Sequence, residues 1–299
     1  MTTPPVAGPE DGWVRLAPAI FVVLWSTGFI GAKFGLPYAE PLTFLFVRLA
    51  FVATVLTLVA LVMRARWPAT RAEAGHIAVA GLLVHGIYLG GVFMAIKAGL
   101  PAGVTSLVVG LQPLLTAAAA GPVFGERVAP RQWLGLALGL VGVALVVSGK
   151  LLPGASLAGL PLAVFALAGI TAGTLYQKRY CVGMDLRSGT AIQYIATSTV
   201  LLVLAWSTET MRIEWTGEFV FALVWLSLVL SVGAIFLLFL LIRRGAAAQV
   251  ASLFYLVPPF TAAFAWALFD ERLGVPALVG MVLTAVGVAL VNRSAPRNR

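Results

Sequence analysis

The chain has 299 residues, 61% of them hydrophobic and 10% charged, where an average soluble domain is about 25% charged. These proportions exclude an ordinary water-soluble enzyme and a disordered chain, and a single cysteine, Cys181, excludes a disulfide scaffold or a cysteine-built metal site. The net charge of +9 would suggest nucleic acid in a soluble domain, but here the charges sit between long apolar blocks.

Ten blocks follow one another near 16–36, 41–63, 74–96, 101–122, 131–148, 157–177, 189–206, 218–240, 246–268 and 275–292. A helix needs about 20 apolar residues to cross a hydrocarbon core of about 30 Å, and these blocks have that length and leave no polar face for water. Period-2 alternation, which a membrane barrel requires, is absent from them. The sequence therefore predicts an all-α membrane protein of ten transmembrane helices. The first block holds Trp25 and Lys33 and lacks a small-residue cleavage site, so it is expected to be retained rather than removed as a signal.

Polar groups are costly in hydrocarbon, so those within blocks are the candidates for a cavity. In the first block Ser26 and Thr27 either line the cavity or bond back to the preceding turn. Lys33, near the end of that block, is a helix-end charge. Arg48, about seven residues into the second block, either snorkels or anchors a substrate carboxylate through its guanidinium fork. In the third block His85 stands at the midpoint, and Tyr88 follows on the same helical face. Gln112 precedes Pro113 in the fourth block; proline removes a backbone hydrogen bond, so Pro113, and Pro258 and Pro259 in the ninth block, are candidate gating bends. Glu126 and Glu271 are helix-end charges after the fourth and ninth blocks. Tyr176 and Gln177 close the sixth block and Tyr194 opens the seventh, where they either line an inner mouth or belong to the interfacial belt. Tyr255 and Trp266 add aromatic surface for a substrate or for packing.

Charge distribution sets the orientation. With a cytoplasmic N-terminus and ten spans, 14 of the 20 Lys and Arg fall at inner ends, four at outer ends (Lys97, Lys150, Arg212 and Arg272), and Lys33 and Arg48 lie within spans. This is a strong positive-inside bias, and it places both termini in the cytoplasm. The basic charge thus records topology and attraction to anionic lipid heads rather than a nucleic-acid partner.

The chain also repeats itself. FGERVAPRQWLGLALGLVGVALVV from Phe124 and FDERLGVPALVGMVLTAVGVALVN from Phe269 align at one offset, which also sets Pro113 on Pro258 and Lys33 on Lys178. Each copy holds five spans, an odd number, so the second enters the membrane inverted, as alternating access requires. The expected organisation is a tail at 1–15, a first five-helix repeat at 16–148, a second at 157–292 and a tail at 293–299.

LWSTGFIGAKFG in the first span, the basic Arg48 ahead of an apolar run, and the paired segments LQPLLTAAAAGPVFGERVAPRQWLGLALGLVGVALVV and LVPPFTAAFAWALFDERLGVPALVGMVLTAVGVALV resemble the EamA branch of the drug/metabolite transporter superfamily. The resemblance covers about residues 16–292. It implies a bacterial inner-membrane exporter of small metabolites, often amino acids, and is nearest to the aromatic amino acid exporters.

All 11 Asp and Glu fall in loops or at helix ends. Proton- and sodium-coupled carriers commonly place a carboxylate in the membrane, so the expected mechanism is an uncoupled carrier. Proton-coupled export of drugs or other metabolites through His85 is the alternative, and a non-transporting scaffold or a pore is the third reading. No phosphate-binding loop is present, and neither a paired-carboxylate, Ser-His nor metal-binding arrangement points to an enzyme. The expected partners are a small-molecule substrate and membrane lipids, with no cofactor, metal or nucleic acid, and the monomer is expected to be the working unit.

Overall fold

A computed structural model of the chain describes residues 11–125, 129–148, 156–234, 237, 253–271 and 274–292. The molecule is an all-α, multi-pass membrane bundle. Among the described residues six helical segments are long and apolar enough to cross a membrane, one of them, Ala102–Ala119, running through a turn at Gly110–Leu111, and four shorter apolar helices accompany them.

In chain order, α1 (Asp11–Gly35) and α2 (Pro41–Val62) are followed by α3, which runs as Arg71–Gly81, a π-helical stretch Leu82–Ile87 and Tyr88–Lys97. Next come α4 (Ala102–Val109), α5 (Gln112–Phe124) and α6 (Pro130–Ser148). After the 3-10 turn Leu157–Gly159 come α7 (Leu160–Tyr180) and α8 (Leu186–Thr208). α9 begins as Gly217–Val224 and continues as a π-helix, Trp225–Ala234. The 3-10 turn Phe254–Leu256 leads into α10 (Val257–Phe269), and α11 (Val275–Asn292) ends the described chain.

The block expected as one helix at 101–122 is broken. α4 stops at Val109, Gly110 and Leu111 form a turn, and α5 starts at Gln112. Pro113 therefore sits in the first turn of a helix, where its missing N–H costs nothing, and Pro258 occupies the same place in α10. The two starts approach each other closely, since a Cβ on Gly110 would lie 3.3 Å from Pro258 Cγ. α5 ends on Gly125 at φ 72° and α10 on Asp270 at φ 53°, both left-handed caps.

Two helix pairs pack along their lengths, α6 with α11 and α2 with α8. Small residues bring α6 and α11 together: a Cβ on Gly142 would fall 2.3 Å from Thr284 Oγ1, and one on Gly287 2.5 Å from the Gly135 carbonyl oxygen. α2 and α8 are stapled at both ends. At one end the Glu209 carboxylate accepts the backbone N–H groups of Leu42 (2.9 Å) and Thr43 (2.7 Å), capping α2, while Glu40 accepts the Thr210 N–H and hydroxyl, both at 2.6 Å. Those Thr210 bonds hold the Glu40 carboxyl below the usual range. At the other end Asp185 caps α8 through the Arg187 N–H (2.9 Å) and accepts the Arg66 N–H at 3.3 Å. Its carboxyl is held well below the usual range, first by its bond to the Arg187 guanidinium.

Candidate functional site

A cavity of about 220 Å³ opens between α1, α2, α3, α7, α8 and the π-helical part of α9. Its polar lining is Arg48 from α2, His85 and Tyr88 from α3, Thr174 from α7, Tyr194 from α8 and Ser231 from α9, and Trp25 and Phe93 are among its apolar walls. Both π-helical stretches reach this cavity, one through Val84 and His85 and the other through Leu230 and Ser231. Widened turns of this kind recur at functional sites. Glycines set the distances around His85: a Cβ on Gly173 would lie 2.6 Å from Val84 Cγ2, and one on Gly81 2.6 Å from the Gln193 Cα.

Arg48 is only 4% exposed. Its Nη2 donates to Ser231 Oγ at 3.2 Å, and Ser231 in turn donates to the Leu226 carbonyl at 3.0 Å. Nε of Arg48 has no hydrogen-bond partner, and among the described residues no carboxylate forms an ion pair with it. A buried guanidinium without a counter-charge is costly, and its planar fork is shaped for two oxygens of a carboxylate.

His85 packs against Tyr194 with ring centroids 4.4 Å apart, and its Nε2 lies 3.4 Å from Gln193 Oε1. Gln193 Nε2 donates to Gln177 Oε1 at 3.0 Å, which makes a polar line from His85 toward the end of α7. Beyond it, His76 Nδ1 and the Tyr176 hydroxyl are 2.8 Å apart, and the His76 ring stacks on Tyr180. Tyr176 and Gln177 thus stand beside the cavity without lining it.

The other sequence candidates spread out. Ser26 is fully buried and donates to the Val22 carbonyl at 2.7 Å. Thr27 donates to the Leu24 carbonyl and accepts the Trp225 indole N–H at 2.8 Å. Gln112 donates to Thr116 (3.1 Å) and to Thr174 (3.3 Å), so it reaches the cavity through Thr174. Trp266 is 58% exposed and borders a separate surface depression with Pro259 and Glu271. Lys33 forms an ion pair with Glu271 and lies 4.5 Å from the centre of the Phe269 ring. Glu126 lies outside the described residues, and of Tyr255 only the backbone is described, in the turn Phe254–Leu256.

Ser231, Thr174 and Trp225 were not singled out by sequence reasoning. Ser231 follows Ser227 by one helical turn in the apolar run WLSLVLSVGAIF, and two serines on one face of such a run are a usable signal. Thr174 carries none, because Thr171 stands one turn away in the same helix and the sequence does not separate the two. Among the described residues no cluster of His, Cys, Asp and Glu is placed to hold a metal ion.

The model of the EamA-like transporter family matches residues 13–148 and again residues 157–293. An "Uncharacterized transporter YvbV" of Bacillus subtilis is 27% identical over 92% of this chain and 90% of its own. Two proteins named "Probable amino-acid metabolite efflux pump", from Salmonella typhimurium and Escherichia coli, are 26% and 25% identical, each over 93% of both chains. A solved crystal structure shares the fold at a TM-score of 0.64 and 19% identity, covering 92% of this chain and 94% of the other. With both halves matched and an apolar multi-pass bundle, the chain belongs to the EamA-like transporter family and is a multi-pass transporter of the bacterial inner membrane, not an enzyme.

Proposed function

We propose that this transporter exports small carboxylate-bearing metabolites, aromatic or neutral amino acids among them, by alternating access, and that Arg48 anchors the carboxylate. The observation that carries this reading is the buried Arg48 guanidinium, held by one serine hydroxyl and facing a cavity with an unpartnered Nε. Trp25, Tyr88, His85 and Tyr194 give the same cavity flat faces for an apolar or aromatic side chain. A volume of about 220 Å³ suits a cargo of amino-acid size better than a large drug. The printed names of the two efflux-pump relatives support the amino-acid class.

Ten spans in two inverted repeats of five, 16–148 and 157–292, with both termini cytoplasmic, form the frame of this proposal. The 14-to-four split of basic residues supports the orientation. Recurrence at an offset of 145 residues supports the duplication: α2 and α8 start at Pro41 and Leu186, α5 and α10 at Gln112 and Val257, and α6 and α11 at Pro130 and Val275. The contact of Lys33 with the Phe269 ring has a counterpart in Lys178 and Phe124, at the same offset with the halves exchanged.

Transport is proposed to be uncoupled. No acid stands within the predicted spans to carry a proton, and protonating His85 would put a second cation in a cavity that already holds Arg48. The test is efflux of labelled phenylalanine and leucine from preloaded proteoliposomes at equal pH on both sides. Efflux above protein-free vesicles supports the proposal, and strict dependence on an imposed pH gradient refutes the uncoupled mechanism.

A further inference from the structure

We propose that the cavity prefers amine-free monocarboxylates with an apolar or aromatic body, such as 2-hydroxy or N-acylated acids, over zwitterionic amino acids of the same side chain. This rests on the reading of Arg48 as the carboxylate anchor and extends it to the other end of the cargo.

Among the described residues the cavity lining is charged at one place only: Arg48 supplies a cation, Ser231, Thr174, Tyr88, Tyr194 and His85 supply polar groups, and none of the described lining residues is acidic. Three acids at helix ends have partners of their own: Glu271 through Oε1 with Lys33, Glu209 at the start of α2 and Asp185 with Arg187.

An amino acid entering this cavity brings two charges. Its carboxylate neutralises Arg48. Its ammonium is drawn out of water beside a guanidinium with no carboxylate to receive it, and a buried charge left without a partner is heavily penalised. The ring faces of Trp25, Tyr88 and Tyr194 offer it only cation–π contact. A 2-hydroxy acid places a hydroxyl where the amino acid has its ammonium, and a hydroxyl is satisfied by the neutral donors and acceptors that line the cavity. The cargo with net charge −1 leaves cavity and ligand neutral together, whereas the zwitterion leaves a residual +1.

3-Phenyllactate and phenylalanine separate the two cases, because they differ only in hydroxyl against ammonium. Counterflow is measured in proteoliposomes of the full-length protein at pH 7.5, with labelled cargo outside and unlabelled cargo inside, subtracting protein-free vesicles. The expected result is half-saturation at a concentration about tenfold or more lower for 3-phenyllactate than for phenylalanine, with N-acetylphenylalanine alongside 3-phenyllactate and phenethylamine inert. Equal or better half-saturation for phenylalanine overturns the preference. If phenylalanine half-saturates as well as 3-phenyllactate and both lose counterflow in Arg48→Met, only the preference has failed and the anchor stands. If neither shows counterflow that depends on Arg48, the anchor has failed and the preference with it. A purified Arg48→Met protein with unchanged thermal unfolding in detergent guards against reading misfolding as lost recognition.

Discussion

A single side chain organises the cavity. Arg48 reaches it from the second helix and is oriented by Ser231, from a helix far away in sequence. Ser231→Ala removes that bond and leaves the guanidinium in place, so the expected effect is weaker half-saturation by roughly tenfold, about 1.4 kcal/mol, with maximal rate kept within severalfold. A fall in maximal rate with unchanged half-saturation would argue against a positioning role. His85 is expected to act as a packed polar wall against Tyr194 and Gln193. His85→Gln should therefore keep efflux independent of an imposed pH gradient, as the parent is expected to be; appearance of gradient dependence in the parent and its loss in the variant would instead mark His85 as a proton carrier. Much of this neighbourhood was legible from residue types: Arg48, His85 and Tyr88 stand out as polar groups deep in apolar blocks, and all three meet at the cavity. Ser26 and Trp266 stood out equally and do not line it. A hydroxyl is satisfied by its own helix at no cost in composition, as Ser26 is by Val22, and an aromatic residue faces lipid as readily as cargo. Neither choice leaves a trace in one sequence.

At the scale of the helices, capping and small-residue packing fix the frame around the cavity. Asp185 closes the N-terminus of α8 and ties it to the Arg66 backbone after α2. Asp185→Ala should cost about 1 kcal/mol of stability, read as a lower unfolding temperature in detergent. The carboxyl is held below its ordinary value in the folded protein, so the stabilisation is fully present above the ordinary carboxylate range of about 4. It declines as the pH falls below that range toward the depressed folded value, and the gap between parent and variant should close in that direction. A gap that widened in acid would contradict the cap. Between α6 and α11, Gly142→Leu forces atoms into the space held by Thr284 and Gly280. Overpacking of this kind costs about 1–3 kcal/mol, visible as reduced unfolding temperature with the transport preference unchanged. Block lengths and Gly spacing announced these helices from sequence. The break at Gly110–Leu111 falls beside Pro113, which the sequence offered as a bend; the π-helical turns at Leu82–Ile87 and Trp225–Ala234 were not announced, and at the first of them Ile87 and Val84 are met by Gly169 and Gly173 of α7.

For the whole molecule, the proposed two-fold inverted arrangement gives two states in which the same contacts exchange sides. The ion pair of Lys33 with Glu271 joins α1 to the end of α10, and its breakage would accompany opening on that side. Exchanging the charges in Lys33→Glu/Glu271→Lys should restore at least half of the transport lost in either single variant; a double variant as defective as the singles would remove the pair from the transport cycle. In the proposed orientation, 14 basic residues fall at inner ends against four at outer ones, a pattern that constrains every helix at once. Cargo identity was the least legible property, because it depends on which groups are missing from a cavity built from six helices.

The most direct measurement is trans-stimulated counterflow of a labelled apolar carboxylate in proteoliposomes, at equal pH, comparing the parent protein with Arg48→Met. Removing one member of a buried charge–charge contact costs about 2–5 kcal/mol, so the parent should show transient accumulation above equilibrium and the variant at least roughly tenfold less. Counterflow of equal size in the two proteins, or equilibration without any overshoot in the parent, would contradict a carrier that holds its cargo at Arg48.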